Sequence, residues 1–588
     1  MVVLMLLGAS TLTIHTAPLQ AQQPAVNPDP EVTWIHHSDP EIALPVDYNT
    51  WSDKYPRSWE MALRQEESDL RLQAADTISF AIRFGFPVDE PLVKALVDVV
   101  RDRDENPETR TAAAVALVTA DAREAAEALA EGAAAGPLPL TLRVDRALAA
   151  WDYLPIREVW LKRLEASPPQ RSLVESAIES LATVGEPRVV APLERLLDSS
   201  QTDPALRILA ARSLAMVPMP QRLERAEAFL KSAGSSGGRA DLEHLLGVLL
   251  LAREDSPAGI ELLDRYCQVT SSAVVAQAMQ RLLQVAPARL VARADEFLRS
   301  NDGNVRKNAV AALATDPSPR SVQLLGPILN DPVPAVRSDA RHHLLVMAAD
   351  EGLRSEVIAA AEKVLASDQW RALEQAILIL AQLDHEAVGE RLFALIDHPR
   401  HEVYVTACWG LKEMAIEPLR ELYYKRMVAL IAEVATPKDL ERYWASGHLI
   451  EAMGKMRHQP AVEDLKRLIP KEAPIHPTAR AAAIWALGYL LADSQDAEVS
   501  GTLAGRLADA GSIPPESDEV RAMAAISMGR IASPSSLEPL RKWASTEGTD
   551  TYIGRRCAWS IELLTGEPIP ALITKTYEIG DWFLMVNP

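Results

Sequence analysis

The chain has little of what disulfide frameworks and nucleic-acid grooves require. It holds three cysteines in 588 residues, its aromatic content is 5%, and its formal net charge is −21. The cysteines are Cys267, Cys408 and Cys557; because their number is odd and they lie far apart, we expect no disulfide framework. We expect Cys408 and Cys557 to be small residues of the core. A nucleic-acid groove needs a basic surface, and the acidic balance argues against one.

Catalytic motifs are missing as well. The sequence contains no glycine-rich phosphate loop, no paired-cysteine zinc motif and no His-Glu-x-x-His. The adjacent histidines His36–His37 and His342–His343 have no carboxylate or cysteine at ligand spacing in the sequence. We therefore predict no catalytic residues, no metal and no cofactor.

What the chain does contain is a segment that returns every 31 to 35 residues with the pattern Arg-x-x-Ala-x-x-(Ala/Ser)-Leu. Clear copies begin at Arg110, Arg207, Arg306, Arg480 and Arg521. On a helix that turns about 100° per residue, offsets 0, 3 and 7 share one face. The small residue at offset 3 lets a neighbouring helix approach, and the apolar residue at offset 7 fills the space between them. Such a repeat predicts a stacked helical array.

Weaker copies complete a register of fifteen positions. Two intervals in the register, of 42 and 41 residues, predict longer loops near residues 416–438 and 492–515, and such loops often carry binding functions. The register positions are Thr77, Arg110, Arg143, Val174, Arg207, Leu242, Val275, Arg306, Arg337, Arg371, Tyr404, Ser446, Arg480, Arg521 and Arg556.

Three stretches resemble the turn and second helix of HEAT repeats: residues 302–306, 331–337 and 518–521. They are most similar to the short HEAT repeats of phycobilisome lyases, as found in bacterial HEAT-repeat proteins, and residues 185–193 resemble a turn and first helix. The resemblance covers about residues 70–565. It implies an all-α solenoid of about fifteen stacked hairpins over residues 61–570, and it says little about function because the matched residues build the scaffold.

The same stretches predict a structural ladder. Each aspartate precedes its helix, where it can cap free N–H groups, and each arginine can reach the aspartate of its own or the next unit. The ladder residues are Asp302, Arg306, Asp331, Arg337, Asp518 and Arg521.

Two classes of enzyme also contain HEAT repeats. The His-Glu pair at His401–Glu402 resembles those of the di-iron deoxyhypusine hydroxylases, but His385–Glu386 lies at a different helix position, and that departure removes the metal site. A surface metal at His398 and His401 or ordinary exposed histidines remain as alternatives. The other class is a lyase-like enzyme or enzyme subunit; no residue specific for bilin attachment supports it.

The two ends differ from the repeat. Residues 1–7 and 14–19 are apolar and precede a cleavage site after Ala21, which predicts that residues 1–21 are a signal peptide and that the protein is exported to the periplasm or medium. The alternative is a cytoplasmic start. The apolar residues are too short and interrupted to span a membrane. Residues 22–60 are rich in proline and tryptophan and predict either a cap over the first repeat or a docking segment for another protein. Residues 571–588 predict a C-terminal cap.

Three tryptophans suggest a binding surface. Trp409 and Trp485 lie at offset 5, and Trp444 at offset −2, so all three point away from the packed helix face. In HEAT arrays the second helix lines the concave surface, and there they would form an apolar stripe that anchors a partner. The alternative is packing between repeats. The sequence therefore predicts a non-catalytic scaffold or assembly factor that binds other proteins through its concave face.

Overall fold

The second helices of fifteen hairpins follow the predicted register. The computed structural model describes residues 27, 29–45, 48–50, 52, 54–134, 136–166, 170–232, 240–433, 440–572, 576–578 and 584. Every register position lies in the second helix of a hairpin. These helices are α2 (Ser68–Arg83), α4 (Pro107–Thr119), α6 (Leu138–Ala150), α8 (Arg171–Thr183), α10 (Pro204–Leu214), α12 (Ala240–Leu250), α14 (Ser272–Val285), α17 (Gly303–Ala314), α19 (Pro334–Met347), α21 (Trp370–Gln382), α23 (His401–Met414), α25 (Leu440–Lys455), α27 (Pro477–Leu490), α29 (Asp518–Ile531) and α31 (Tyr552–Thr565).

The first helices of the hairpins are shorter and more varied, and several begin with a 3₁₀ turn. One of them is split in two by Arg293, which separates α15 from α16. They are α1 (Tyr55–Ala62), α3 (Glu90–Arg101), α5 (Ala126–Ala134), α7 (Arg157–Leu164), α9 (Val190–Asp198), α11 (Arg222–Ser232), α13 (Pro257–Tyr266), α15 (Pro287–Ala292), α16 (Ala294–Phe297), α18 (Pro319–Leu325), α20 (Glu351–Leu365), α22 (Gly389–Leu395), α24 (Arg420–Glu433), α26 (Val462–Lys466), α28 (Ala497–Ala508) and α30 (Leu537–Glu547).

The predicted all-α solenoid is confirmed, with one local exception. Strands β1 (Tyr48–Thr50) and β2 (Thr576–Glu578) pair in parallel over three residues each, whereas the sequence predicted no parallel sheet. The helix pattern could not reveal this pairing because both strands lie outside the repeats. No helix in the described ranges has the length and apolar character needed to cross a bilayer.

The chain divides into two compact units. One contains residues 36–316, 469–472 and 487–588, and the other contains residues 317–468 and 473–486 together with the N-terminal residues to Ile35. Within the first unit, each second helix from α2 to α17 contacts the next second helix. Within the other, α19, α21, α23 and α25 are in contact in the same order. The small residue at offset 3 is buried in these contacts, as at Ala113, Ala210 and Ala309.

Helix capping agrees with the predicted aspartates in part. Asp302 caps α17, because its Oδ1 accepts hydrogen bonds from the N–H groups of Asn304 and Val305. A hydrogen bond from the Ser272 hydroxyl, together with these two bonds, holds the pKa of the Asp302 carboxyl below its usual value. Asp518, in contrast, is the first residue of α29, and the hydroxyl of Ser517 is the cap. The prediction that Asp518 precedes its helix was therefore wrong, although a carboxylate in the first turn still favours the helix dipole.

The ladder arginines are buried, and main-chain carbonyls are among their acceptors. Arg306 donates to the carbonyl of Ser300, and Arg337 donates to the main-chain carbonyl of Asp331, each at 2.8 Å. Arg521 does reach the Asp518 carboxylate, at 3.3 Å. The sequence predicted carboxylate acceptors throughout and missed the carbonyls.

There is a physical reason why the arginines donate to main-chain carbonyls. The last turn of a helix leaves its C=O groups without intrahelical partners, and these are costly to bury. Arg110, Arg207 and Arg521 donate from Nε to the carbonyls of Val100, Leu197 and Leu507, at the ends of α3, α9 and α28. The guanidinium groups of Arg207 and Arg521 also bind a glutamate of the following hairpin, Glu243 at 2.9 Å and Glu547 at 2.6 Å. The arginine thus joins its own hairpin and links it to the next.

The two longer intervals are accommodated in different ways. In the first, α24 extends to 14 residues, and residues 434–439 lie outside the described part of the chain. In the second, the extra residues form the loop of residues 509–517 between α28 and α29, where Ile513 is fully exposed. A longer loop was therefore predicted correctly for the second interval, whereas a longer helix occupies much of the first.

At the N-terminus, α1 is the first helix of the first hairpin and packs against α2 and α3. Trp59 is completely buried, stacks on Tyr55 with ring centroids 5.4 Å apart, and meets the edge of Phe86 at 5.0 Å. The predicted signal segment 1–21 lies outside the described residues, as do Trp582, Phe583 and Met585 of the predicted C-terminal cap.

The three cysteines are buried free thiols. Burial raises the pKa of Cys267, Cys408 and Cys557 to about 12 in each case. They behave as small apolar residues of the core.

Candidate partner-binding site

The three predicted anchor tryptophans do not share one environment. Trp444 on α25 is 43% exposed, but Trp409 on α23 and Trp485 on α27 are 3% and 2% exposed. The prediction of three solvent-facing indoles was therefore wrong for Trp409 and Trp485. Partner binding by Trp444 stays a prediction.

Both buried indoles pack against small residues of the preceding second helix. Trp409 forms a buried cluster with Leu378 and Ala381 of α21. The ring of Trp485 lies over Gly454 of α25, so closely that a Cβ there would be 2.7 Å from it. A large ring at offset 5 can lean back onto the neighbouring repeat when that repeat offers glycine or alanine. The inter-repeat packing alternative therefore describes these two residues.

An extended stretch before α1 covers part of the same surface. We call residues 29–45 the N-terminal segment; apart from a single 3₁₀ turn at Ile35–His37 it contains no helix or strand. Its first part, residues 29–35, contacts α19, α23 and α25. The Asp29 carboxylate lies 3.0 Å from Nδ1 of His342, and Lys412 Nζ donates to the carbonyl of Thr33 at 2.5 Å.

Trp34 is the apolar anchor of this first part. Its indole stacks on the imidazole of His448, with ring centroids 4.2 Å apart and an interplanar angle of 21°. The same ring fills the space above Gly447, where a Cβ would be 2.6 Å from it. Glycine at position 447 is therefore what allows the indole to lie against the backbone of α25.

Buried charges lie directly beneath Trp34. Lys412 is completely buried, and its Nζ is 3.0 Å from Glu413 Oε1 and 3.6 Å from Oε2 of the equally buried Glu451. Burial lowers the pKa of the neighbouring His448 to about 4, and the positive charge of Lys412 acts in the same direction. His448 is therefore neutral at neutral pH, which suits its stacking against an indole.

The second part of the segment, residues 36–45, contacts α27 and α29. The Asp39 carboxylate accepts from the Tyr489 hydroxyl at 2.6 Å and from Arg530 Nη2 at 2.9 Å. The Arg530 guanidinium in turn lies over the Tyr489 ring, 4.0 Å from its centroid. These three side chains form a partly buried, charge-assisted cluster.

A histidine pair in this part meets a carboxylate that the sequence search missed. His36 Nε2 and His37 Nε2 each lie 2.8 Å from Oε1 of Glu519 on α29. In the described part of the chain, these three residues are the only group of histidine, cysteine and acidic ligand atoms within metal-binding distance of one another. A search by ligand spacing could not find Glu519, because it lies 482 residues from His37.

The other histidines considered from the sequence have ordinary partners. His385 Nε2 lies 2.8 Å from Glu362, His401 lies 3.6 Å from Glu402, and His398 Nδ1 accepts from the backbone N–H of Arg400.

The exposed Trp444 lines a cavity of about 290 Å³ beside the segment. Val32 and Trp34 of the N-terminal segment form one wall, and Trp444 and His448 of α25 form another. Glu402 of α23 also lines this cavity, and its buried Oε2 has no hydrogen-bond partner. Glu374 of α21 lines it too, so the cavity offers an apolar surface with two carboxylates at its side.

Comparison with known proteins shows the fold. No protein-family model matches the chain, and no curated protein matches it. A chain in the structure of Kap95p binding to RanGDP matches with 14% identity and a TM-score of 0.51, over 87% of this chain and 72% of that chain. Importin beta gives 12% identity, a TM-score of 0.48 and coverages of 86% and 72%. Kap121p bound to the SUMO protease Ulp1p gives 12% identity and a TM-score of 0.47, over 88% of this chain and 57% of that chain.

The protein is therefore a HEAT-type α-solenoid, and this part of the predicted resemblance is confirmed. The finer resemblance to phycobilisome lyases stays a prediction.

Proposed function

We propose that this chain is a non-catalytic scaffold that binds another protein along its second helices. The observation that carries the proposal is the N-terminal segment itself. Helices α19, α23 and α25 hold an extended stretch of polypeptide by the means that hold peptide ligands: an indole above a glycine, a lysine on a main-chain carbonyl, and a histidine–carboxylate contact. A surface that binds one extended segment has the donors, acceptors and apolar space to bind another.

Trp444 supplies the free anchor for a partner. Interfaces draw much of their energy from a few partly buried aromatic residues, and tryptophan is among the commonest. Trp444 is exposed beside an open cavity, so an apolar side chain of a partner can enter the cavity and cover the indole. The Glu402 Oε2 lies 3.6 Å from His401 Nδ1 and accepts no hydrogen bond, so it favours a donor group, such as an amide or a basic side chain, next to that apolar residue.

The likeness to solved structures supports the class of function. Kap95p, whose fold this chain shares, binds RanGDP. We also propose that the protein acts outside the cytoplasm, on the basis of the apolar residues 1–21.

The test is partner affinity after loss of the exposed indole. Partners would be captured from an envelope fraction with the chain from Gln22 onward, and the dissociation constant of a purified partner would then be measured. Trp444→Ala should weaken binding roughly thirtyfold, since an aromatic anchor contributes about 2 kcal/mol. Thermal stability should change little, because the ring is half exposed.

Leu422→Ala is the matched control. Leu422 is 42% exposed and lies on α24, the first helix of the same hairpin. It should leave the affinity within about threefold of the wild type. Equal losses in both variants, or no loss in Trp444→Ala, would mean that the partner binds elsewhere.

A further inference from the structure

The histidine pair and glutamate described above have an arrangement that hydrogen bonding alone does not require. One carboxylate oxygen faces two imidazole nitrogens, at 2.8 Å each. The two rings are adjacent in sequence yet nearly perpendicular, with centroids 4.6 Å apart and an angle of 71°, so that both Nε2 atoms point to the same place. The three ligand atoms lie within 4.8 Å of one another.

We propose that His36, His37 and Glu519 form a binding site for a divalent transition metal of the zinc type. Two imidazole nitrogens and one carboxylate oxygen are ligands that zinc prefers, whereas magnesium and calcium take oxygen ligands. Zinc binds such ligands at about 2.0–2.1 Å, which in a tetrahedral site separates neighbouring ligand atoms by about 3.3 Å. Each Nε2–Oε1 separation must therefore lengthen by about half an ångström to admit the ion.

The burial of the ligands suits a site with one open coordination position. The His36 side chain is completely buried and fixed, while that of His37 is 52% exposed and that of Glu519 is 23% exposed. An ion can thus enter from the solvent side and keep water as a further ligand there.

The ion would join two parts of the chain that are distant in sequence. His36 and His37 belong to the N-terminal segment, and Glu519 belongs to the first turn of α29. Metal binding therefore fixes this part of the segment on α29, and removal of the metal leaves the hydrogen bonds alone to hold it. This inference goes beyond the proposed partner binding, and its test does not depend on whether Trp444 binds a partner.

The test measures metal content on the full, tag-free chain. After chelation and dialysis, the chain would be titrated with Zn²⁺, with Co²⁺ as a coloured probe of coordination, and with Mg²⁺ as the ion that should not bind. We expect one Zn²⁺ per chain and a visible Co²⁺ spectrum of a four- or five-coordinate ion. Loss of a residue that only supports a metal ligand weakens metal binding by about 10–100-fold. Because His37 and Glu519 would bind the ion directly, His37→Ala and Glu519→Gln should each weaken binding by more than about 100-fold.

A second adjacent pair provides the matched control. His342 and His343 on α19 have similarly crossed rings, 5.1 Å apart at 82°, but among the described residues they belong to no such three-residue cluster. The double variant His342→Ala/His343→Ala should bind one Zn²⁺ as the wild type does. Limited proteolysis should also show Zn²⁺ protecting residues 36–45 in the wild type and not in Glu519→Gln. The proposal is overturned if the wild type takes up no Zn²⁺, or if His37→Ala and Glu519→Gln retain it.

Discussion

At the scale of single residues, His448 couples the fold to pH. Its imidazole is buried between Trp34 and the Lys412–Glu451 pair, and burial lowers its pKa from 6.5 to about 4. Between these values the unfolded chain binds a proton that the folded chain does not. Stability must therefore fall as the pH is lowered from about 6.5 to about 4, with no further contribution from this group below that range.

We predict that His448→Gln removes this part of the pH dependence. One pKa unit corresponds to about 1.4 kcal/mol, so the wild type should lose on the order of 3 kcal/mol across the window in excess of the variant. Denaturant unfolding at a series of pH values measures the difference, and NMR titration of the imidazole measures the pKa directly. His401→Gln, at an exposed histidine, is the control and should follow the wild type. An ordinary pKa for His448 would contradict the buried contact with Trp34.

The tryptophans show what a residue's helical angle can and cannot predict. On a helical wheel, offsets 5 and −2 lie away from the face of offsets 0, 3 and 7. Exposure does not follow from this, because it depends on the neighbouring repeat: Gly454 and Ala381 leave room for Trp485 and Trp409 to bury their rings. Trp444 at offset −2 remains half exposed. The position of the ring could be predicted from the sequence, but its burial needed the residue it packs against.

At the scale of elements, two glycines of α25 are in close contact with indoles from different parts of the chain. Gly447 faces Trp34 of the N-terminal segment, and Gly454 faces both the Trp485 ring and the backbone of Ala486 in α27. A Cβ at Gly447 meets the far end of a side chain that can move away. A Cβ at Gly454 would lie 2.8 Å from Cα of Ala486, which cannot move without the helix.

We predict opposite effects for the two alanine substitutions. Gly447→Ala should displace Trp34 and expose residues 29–35 to protease or hydrogen exchange. The fold itself should be preserved, because alanine is favoured over glycine in a helix by about 1 kcal/mol. Gly454→Ala should instead destabilise the chain by about 1–3 kcal/mol through overpacking and leave the segment protected. Hydrogen exchange by mass spectrometry, with thermal unfolding alongside, distinguishes the two. Equal protection of the segment in Gly447→Ala and the wild type would show that Trp34 does not hold it.

The helices and the segment also differ in how far the sequence predicts them. All fifteen register positions lie in second helices, because a helix face is encoded by residues three, four and seven apart. The segment's contacts join residues hundreds of positions apart: Asp29 to His342, Thr33 to Lys412 and Asp39 to Arg530. No local periodicity encodes such pairs. The proline and tryptophan content of residues 22–60 indicated an extended stretch with apolar anchors, but not where the anchors bind.

At the scale of the whole molecule, the acidic balance and the repeat have separate roles. The repeat's own arginines are used inside the scaffold, where they satisfy carbonyls at helix ends and bind glutamates of the next hairpin. The net charge of −21 is summed over the whole chain, and it favours basic partners over acidic ones. Nucleic acid is disfavoured as a partner for the same reason, and this stays a prediction.

The location of the protein is the last prediction. Residues 1–21 form an apolar stretch ending in Leu-Gln-Ala, and cleavage after Ala21 would leave Gln22 as the first residue, seven positions before Asp29 contacts His342. We therefore expect N-terminal sequencing of the protein from its native cells to begin at Gln22, in the envelope or medium and not in the cytosol. A fusion of residues 1–26 to a reporter enzyme that is active only outside the cytoplasm should be active. The same fusion with Leu4 and Leu6 changed to aspartate is the control, because charges within the apolar stretch prevent export. Recovery of an intact Met1 in the cytosol would contradict export, and the partners would then have to be sought among cytosolic proteins.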